Sequence, residues 1–205
     1  PAISFFRFCD ELLLRFKHSP EVLMIAGSNV YEESYHIKSS LLRLNYPLFW
    51  GWAGYRRAWT GYERDVRVFS PLFVKLLFAP LGVSEKLFWI RAFISVWNNS
   101  VSTWDYQFAI KMIVDEGVCI GSGKNLVSNV GFGESATHTN LESAMSYIPA
   151  REVTDDYSCA EFSLSDDAMM NSHYRQSQFS LTRGYLRHLL HGSIKKILRH
   201  LKPAP

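Results

Sequence analysis

The feature that most narrows the possible folds is a junction near the start of the chain, where an amphipathic helical pattern over 4–16 runs into the apolar segment EVLMIA at 21–26. In the first segment Phe5, Phe6, Cys9, Leu12, Leu13 and Phe16 recur at three-and-four spacing, with Asp10, Glu11 and Arg15 on the other side. Ser19-Pro20 ends it. The run that follows is closed by Gly27 and has the length and bounds of a strand buried on both faces. Helix followed by buried strand predicts α/β architecture.

The stretch 27–45 is polar, shows no clear period, and reads as a loop. Two helices are expected over 71–78 and 85–97, separated by Pro80 and Gly82, the second with Leu87, Ile90, Ile94 and Trp97 on one face. Residues 98–103 form a polar turn offering Ser102 or Thr103 as a helix cap, and 104–116 return to helical spacing until Gly117. A short strand at 118–120 and a long loop rich in Gly, Ser and Asn at 121–139 follow. Beyond it we expect a short strand within 143–153, a short helix over 163–170 and a helix over 184–201. The expected division is a main domain over 1–150 and a C-terminal extension over 151–205.

An apolar fraction of 47% in 205 residues is enough to build a real core, and aromatics at 15% favour aromatic-lined clefts over a disordered or fibrous chain. Cys9, Cys119 and Cys159 lack the close spacing of a zinc site or disulfide framework, which points to a reducing compartment. The longest apolar run, 69–83, is broken by Pro71, Lys75 and Pro80 and falls short of a membrane span. No signal peptide is visible, so the expected location is cytoplasmic. The chain begins at Pro1 and enters a helical pattern at once, so a segment upstream is expected.

Charge is unevenly spread: after Asp167 there are no acids and seven Lys or Arg. The stretch 183–202 therefore reads as a basic amphipathic helix that either rests on an anionic membrane, at its inner face, or packs on the domain with a solvated basic side. Nucleic acid is disfavoured as a class of partner, because the net charge is only +3 and no recognition motif accompanies the basic stretch.

Three patches carry the residue types that chemistry needs: WGWAGYRRAW at 50–59, TWDYQF at 103–108 and NLVSNVGFGESATHT at 125–139. Trp50, Trp52 and Trp104 offer flat faces on which a sugar can stack. Arg56 and Arg57 supply donor forks suited to phosphate or carboxylate, although on a helix adjacent residues point about 100° apart and only one would face a ligand. Asp105 is either a first-turn aspartate favoured by the helix dipole or a general base beside an aromatic wall. Gln107 is suited to orienting a hydroxyl, or to lying solvated at the surface. His138 is a structural histidine or a metal ligand, with no second histidine at ligand spacing.

In this order the three patches resemble the blocks of bacterial nucleotide-diphospho-sugar transferases, the glycosyltransferase family 2-like group that includes hemolytic-protein-like enzymes. SFFRFCDELLLRF and MIAGSN are similar to that family too, so the resemblance covers roughly 4–139. It implies a GT-A fold, a Rossmann-like α/β sandwich, of which this chain is the part lacking the N-terminal nucleotide-binding half. It implies a nucleotide-diphospho-sugar donor, a glycan or other hydroxyl acceptor, and a divalent metal, Mn or Mg. Asp105 becomes the base, His138 a metal ligand, and Trp50, Gly51, Trp52, Arg56, Arg57, Trp104 and Gln107 the substrate wall. The family's acidic D-x-D motif is absent; Asp155-Asp156 and Asp166-Asp167 are adjacent pairs. The alternative is a non-catalytic carbohydrate- or partner-binding module.

Overall fold

A computed structural model describes residues 1–67, 69–129 and 148–179. It is a mixed α/β structure in two compact units, the first formed by Pro1–Thr60 with Asp115–Asn171, the second by Gly61–Val114 with Ser172–Pro205. The helix expected over 184–201 lies outside the described residues, as do residues 143–147 of the strand expected within 143–153; residues 148–153 carry no regular structure.

The first unit is organised by the junction at its start. Helix α1 (Ile3–Arg15) delivers the chain to strand β1 (Val22–Ala26), all five of whose residues are buried. A single-turn helix α2 (Glu32–Tyr35) precedes β2 (Leu41–Leu44), and β3 (Trp52–Gly54) follows. Strand β4 (Val118–Ser122) completes a sheet of order β2-β4-β1-β3. The central pair β1–β4 is parallel, with Ile25 opposite Ile120, and both outer strands run antiparallel, Ala53 opposite Ile25 and Leu42 opposite Gly121. Parallel strands covered on both faces tolerate unbroken apolar runs, which is why β1 and β4 lack alternation. Phe5, Phe8, Cys9 and Leu12 of α1 pack on Ile25, Leu41, Val118 and Ile120, with Tyr157 edge-on to Phe8 at 4.8 Å.

Strand β2 corrects the reading of 27–45 as a loop. Leu41, Leu42 and Leu44 are all buried, so the segment LLRL has no alternating signature to separate it from its polar flanks. Its outer edge is closed by α6 (Leu164–Phe179), where the Asp167 carboxylate accepts from the Arg43 N–H at 2.8 Å and the Asn171 amide from Asn45 N–H at 2.8 Å. The helix expected over 163–170 thus exists and runs further.

In the second unit α3 (Pro71–Phe78) starts on a Ser70 cap with Pro at its first turn, followed by α4 (Val83–Trp97) and α5 (Asp105–Val114). The three pack through Phe73, Phe93, Phe108 and Met112, the Phe73 and Phe93 rings 4.8 Å apart. On α4 the buried residues are Glu85, Trp89, Ala92, Phe93 and Ile94; of the expected face, Ile94 is among them while Leu87, Ile90 and Trp97 are half-buried. The periodicity was right and the phase was not, because α4 meets two helices and buries a stripe through Phe93.

Candidate functional site

The tryptophan-rich segment is a strand and a corner rather than a helix start: β3 carries Trp52, and Arg56–Trp59 form a single 3-10 turn. Gly51 has φ of 62°, and a Cβ there would meet Val127 at 2.3 Å, so glycine is required by both backbone and space. That places Gly51 in the turn's construction. Trp50 and Trp52 are half-buried, and Trp52 lies against the Trp59 ring at 6.2 Å, leaving Trp59 40% exposed.

The two arginines divide their work. Arg57 lies over the Tyr55 ring at 3.6 Å and donates to the carbonyls of Phe16, Lys17, Ser19 and Val22, at 2.9–3.1 Å. Tyr55 adds its hydroxyl to the Leu13 carbonyl at 2.9 Å. Together they satisfy carbonyls left open at the end of α1, where a cation also complements the helix dipole. Arg57 therefore serves the fold, whereas Arg56 is exposed and has no hydrogen-bond or ion-pair partner among the described residues.

The second block belongs to the second unit. Asp105 heads α5, and the Thr103 hydroxyl donates to its Oδ1 while accepting from the Asp105 N–H at 3.3 Å. Trp104 is 43% exposed, edge-on to Phe108, and its carbonyl accepts from the Tyr62 hydroxyl at 3.2 Å. Gln107 is buried, its amide donating to the Thr103 carbonyl at 2.9 Å and the Arg64 carbonyl at 3.4 Å, with Oε1 lacking a partner among the described residues. A groove of about 270 Å³ within the same unit is lined by Phe88, Arg91, Ala92, Ser95, Val101 and Tyr106. His138 lies outside the described residues. Among those described, no three His, Cys, Asp or Glu converge to hold a metal.

A polar cluster missed by sequence reasoning stands at the carboxyl ends of the two parallel strands, the position where open α/β sheets place ligands. The buried Asn29 amide donates to the carbonyls of Gly123 at 3.0 Å and Ser122 at 3.2 Å, and its N–H donates to Asn125 Oδ1 at 2.9 Å. Glu32 accepts from Asn125 N–H at 2.8 Å and pairs with Lys124 and Arg151 at 3.4 and 3.2 Å. The signal was present twice, as an apolar run ending in small residues and then Asn, at AGSN and GSGKN. Nothing local marked those asparagines as partners.

The acidic pairs are occupied by the fold: Asp166 accepts from Lys38 and Ser39 N–H groups, which hold its pKa down, while burial pushes Asp167 up. Compared with protein-family models, curated proteins and solved structures, the chain finds no match in any of the three. No helix among the described residues is long and apolar enough to cross a membrane.

Proposed function

We propose that the chain is the acceptor-side part of a GT-A glycosyltransferase, moving a sugar from a nucleotide-diphosphate donor to an acceptor hydroxyl in bacterial surface-glycan synthesis. The observation that carries this reading is Asp105. It stands at the head of α5 beside a 43% exposed indole, with Oδ1 held by Thr103 and Oδ2 without a hydrogen-bond partner among the described residues. A carboxylate so oriented takes the acceptor's hydroxyl proton as that oxygen bonds to the anomeric carbon, and the nucleoside diphosphate leaves with the electron pair of the broken bond. The exposed face of Trp104, in the same unit, suits stacking on a sugar ring, and within the first unit the exposed face of Trp59 and the Arg56 guanidinium have chemistry suited to sugar and phosphate. Mn or Mg with His138 as a ligand belongs to the same reading.

The test is release of nucleoside diphosphate from UDP-glucose, UDP-N-acetylglucosamine and GDP-mannose, with MnCl2 or EDTA, against a panel of sugar acceptors, by the chain joined to the nucleotide-binding half that this reading requires. Asp105→Asn is expected to lower turnover about 100-fold or more with the circular dichroism spectrum unchanged. Turnover retained by that variant removes the base assignment. A non-catalytic carbohydrate-binding module is the second reading, favoured by the occupation of Asp166 and Asp167 within the fold. It predicts quenching of tryptophan fluorescence by free sugars with this chain alone, without nucleotide or metal, and no turnover even when the nucleotide-binding half is supplied.

A further inference from the structure

The second unit exposes apolar surface that its own packing does not need. On α3, Val74, Leu77 and Phe78 share one face at three-and-four spacing and are 40%, 38% and 83% exposed, and Val83, at the start of α4, is 77% exposed. Phe69, just before α3, presents its ring 64% exposed from a left-handed backbone with φ of 70°, a conformation unfavourable for a bulky residue. The turn between the helices, APLG at 79–82, adds no charge. Lys86 donates to the Leu77 carbonyl at 3.0 Å and so ties the two helices together just behind the tip. Isolated exposed apolar residues are ordinary, but a cluster of this kind on one hairpin marks an interaction surface.

Charge identifies what the surface meets. Between Asp65 and Asp105 the chain holds Arg67, Lys75, Lys86 and Arg91 against a single acid, Glu85. Glu85 is 4% exposed and lies in an ion pair with Arg175 at 3.8 Å. Glu63 is the other acid at α3 and is taken up in accepting from the Leu72 N–H at 3.0 Å. The exposed apolar face thus lies on a segment with an excess of cations, which complements a bilayer carrying anionic headgroups, where long basic side chains reach up to phosphate while their stems and the apolar residues enter the acyl boundary.

We propose that the α3–α4 hairpin inserts Phe78 and Val83 into the interfacial region of an anionic membrane, as a monotopic contact formed by the folded unit. This goes beyond the transferase reading, stands without it, and concerns residues other than those of the basic stretch 183–202.

The experiment is sedimentation of the full chain with sonicated vesicles of phosphatidylcholine containing phosphatidylglycerol, and with phosphatidylcholine alone, at low and high salt. The parent chain is expected to partition to the anionic vesicles, and Phe78→Ser to lower the partition coefficient about tenfold or more, from the loss of one inserted aromatic side chain. Phe6→Ser, on the exposed side of α1, serves as the control and is expected to leave partitioning unchanged. The same loss on Phe78→Ser is expected when Lys195→Gln and Lys196→Gln are already present, which separates the hairpin from the basic stretch. Equal partitioning of parent and Phe78→Ser overturns the proposal, as does failure of the parent to bind anionic vesicles. A dimer in light scattering that Phe78→Ser dissociates also overturns it, assigning the surface to a second copy of the chain.

Discussion

A single guanidinium closes the junction between the first helix and the first strand. Arg57 uses both terminal nitrogens on four carbonyls, three of them in the α1–β1 connection and one in β1 itself. A lysine keeps the charge but has no planar fork to reach all four. Arg57→Lys is therefore expected to lower unfolding free energy by about 2 kcal/mol in urea denaturation, while Arg56→Ala stays within about 0.5 kcal/mol. The pair Arg-Arg was legible as chemistry in the sequence. Which of the two serves the fold was not, because the carbonyls Arg57 meets are 35 to 41 residues away.

At the scale of elements, α1 shows how the polar side of an amphipathic helix can be occupied. Arg7, Glu11 and Arg15, each four residues apart, bind an extended segment: Arg7 donates to the carbonyls of Val153 and Asp155, Arg15 to those of Tyr157 and Ala160, and Glu11 accepts from Tyr157 N–H. The helix has no side-chain cap of its own at Ala2. Glu152 supplies it, accepting from the N–H groups of Ile3 and Ser4, and those two bonds hold its pKa below the usual carboxylate range. A carboxylate depressed in the folded state stabilises above its unfolded pKa of about 4.3 and loses that contribution as pH falls through its lower folded value. Glu152→Gln is accordingly expected to lower the Tm at pH 7, with the gap to the parent closing progressively below about pH 4 in thermal scans. Helices α1, α3 and α5 and strands β1 and β4 were legible from period and from Pro and Gly punctuation. Strand β2 was not, since the groups that complete its edge, on Asp167 and Asn171, lie more than 120 residues along the chain.

Over the whole molecule, burial sorts the three thiols. Cys9 and Cys119 are buried in the first unit, and burial pushes both up to about 12, with the Asp10 charge adding to the effect at Cys9. Cys159 is exposed. Thiolate is the reactive form, so a thiol reagent at about pH 8 is expected to modify one cysteine per native chain rapidly and the other two only on unfolding. Cys159→Ser should abolish the fast phase. A fast phase of two or three thiols would contradict the burial of α1 and β4.

The sequence alone determined the class of the fold, because helical periodicity, wholly apolar short runs and their breakers act over a few residues and leave a local trace. It also located the aromatic blocks around Trp52 and Trp104, since residue type and order are read directly. Only the tertiary structure decided which polar groups are spent on the fold and which face outward. Arg57, Gly51 and Gln107 turned inward to backbone or close packing, while Arg56, Trp59 and Trp104 remained at the surface. That division depends on hydrogen-bond partners and neighbours brought together from distant parts of the chain, and no local pattern encodes them.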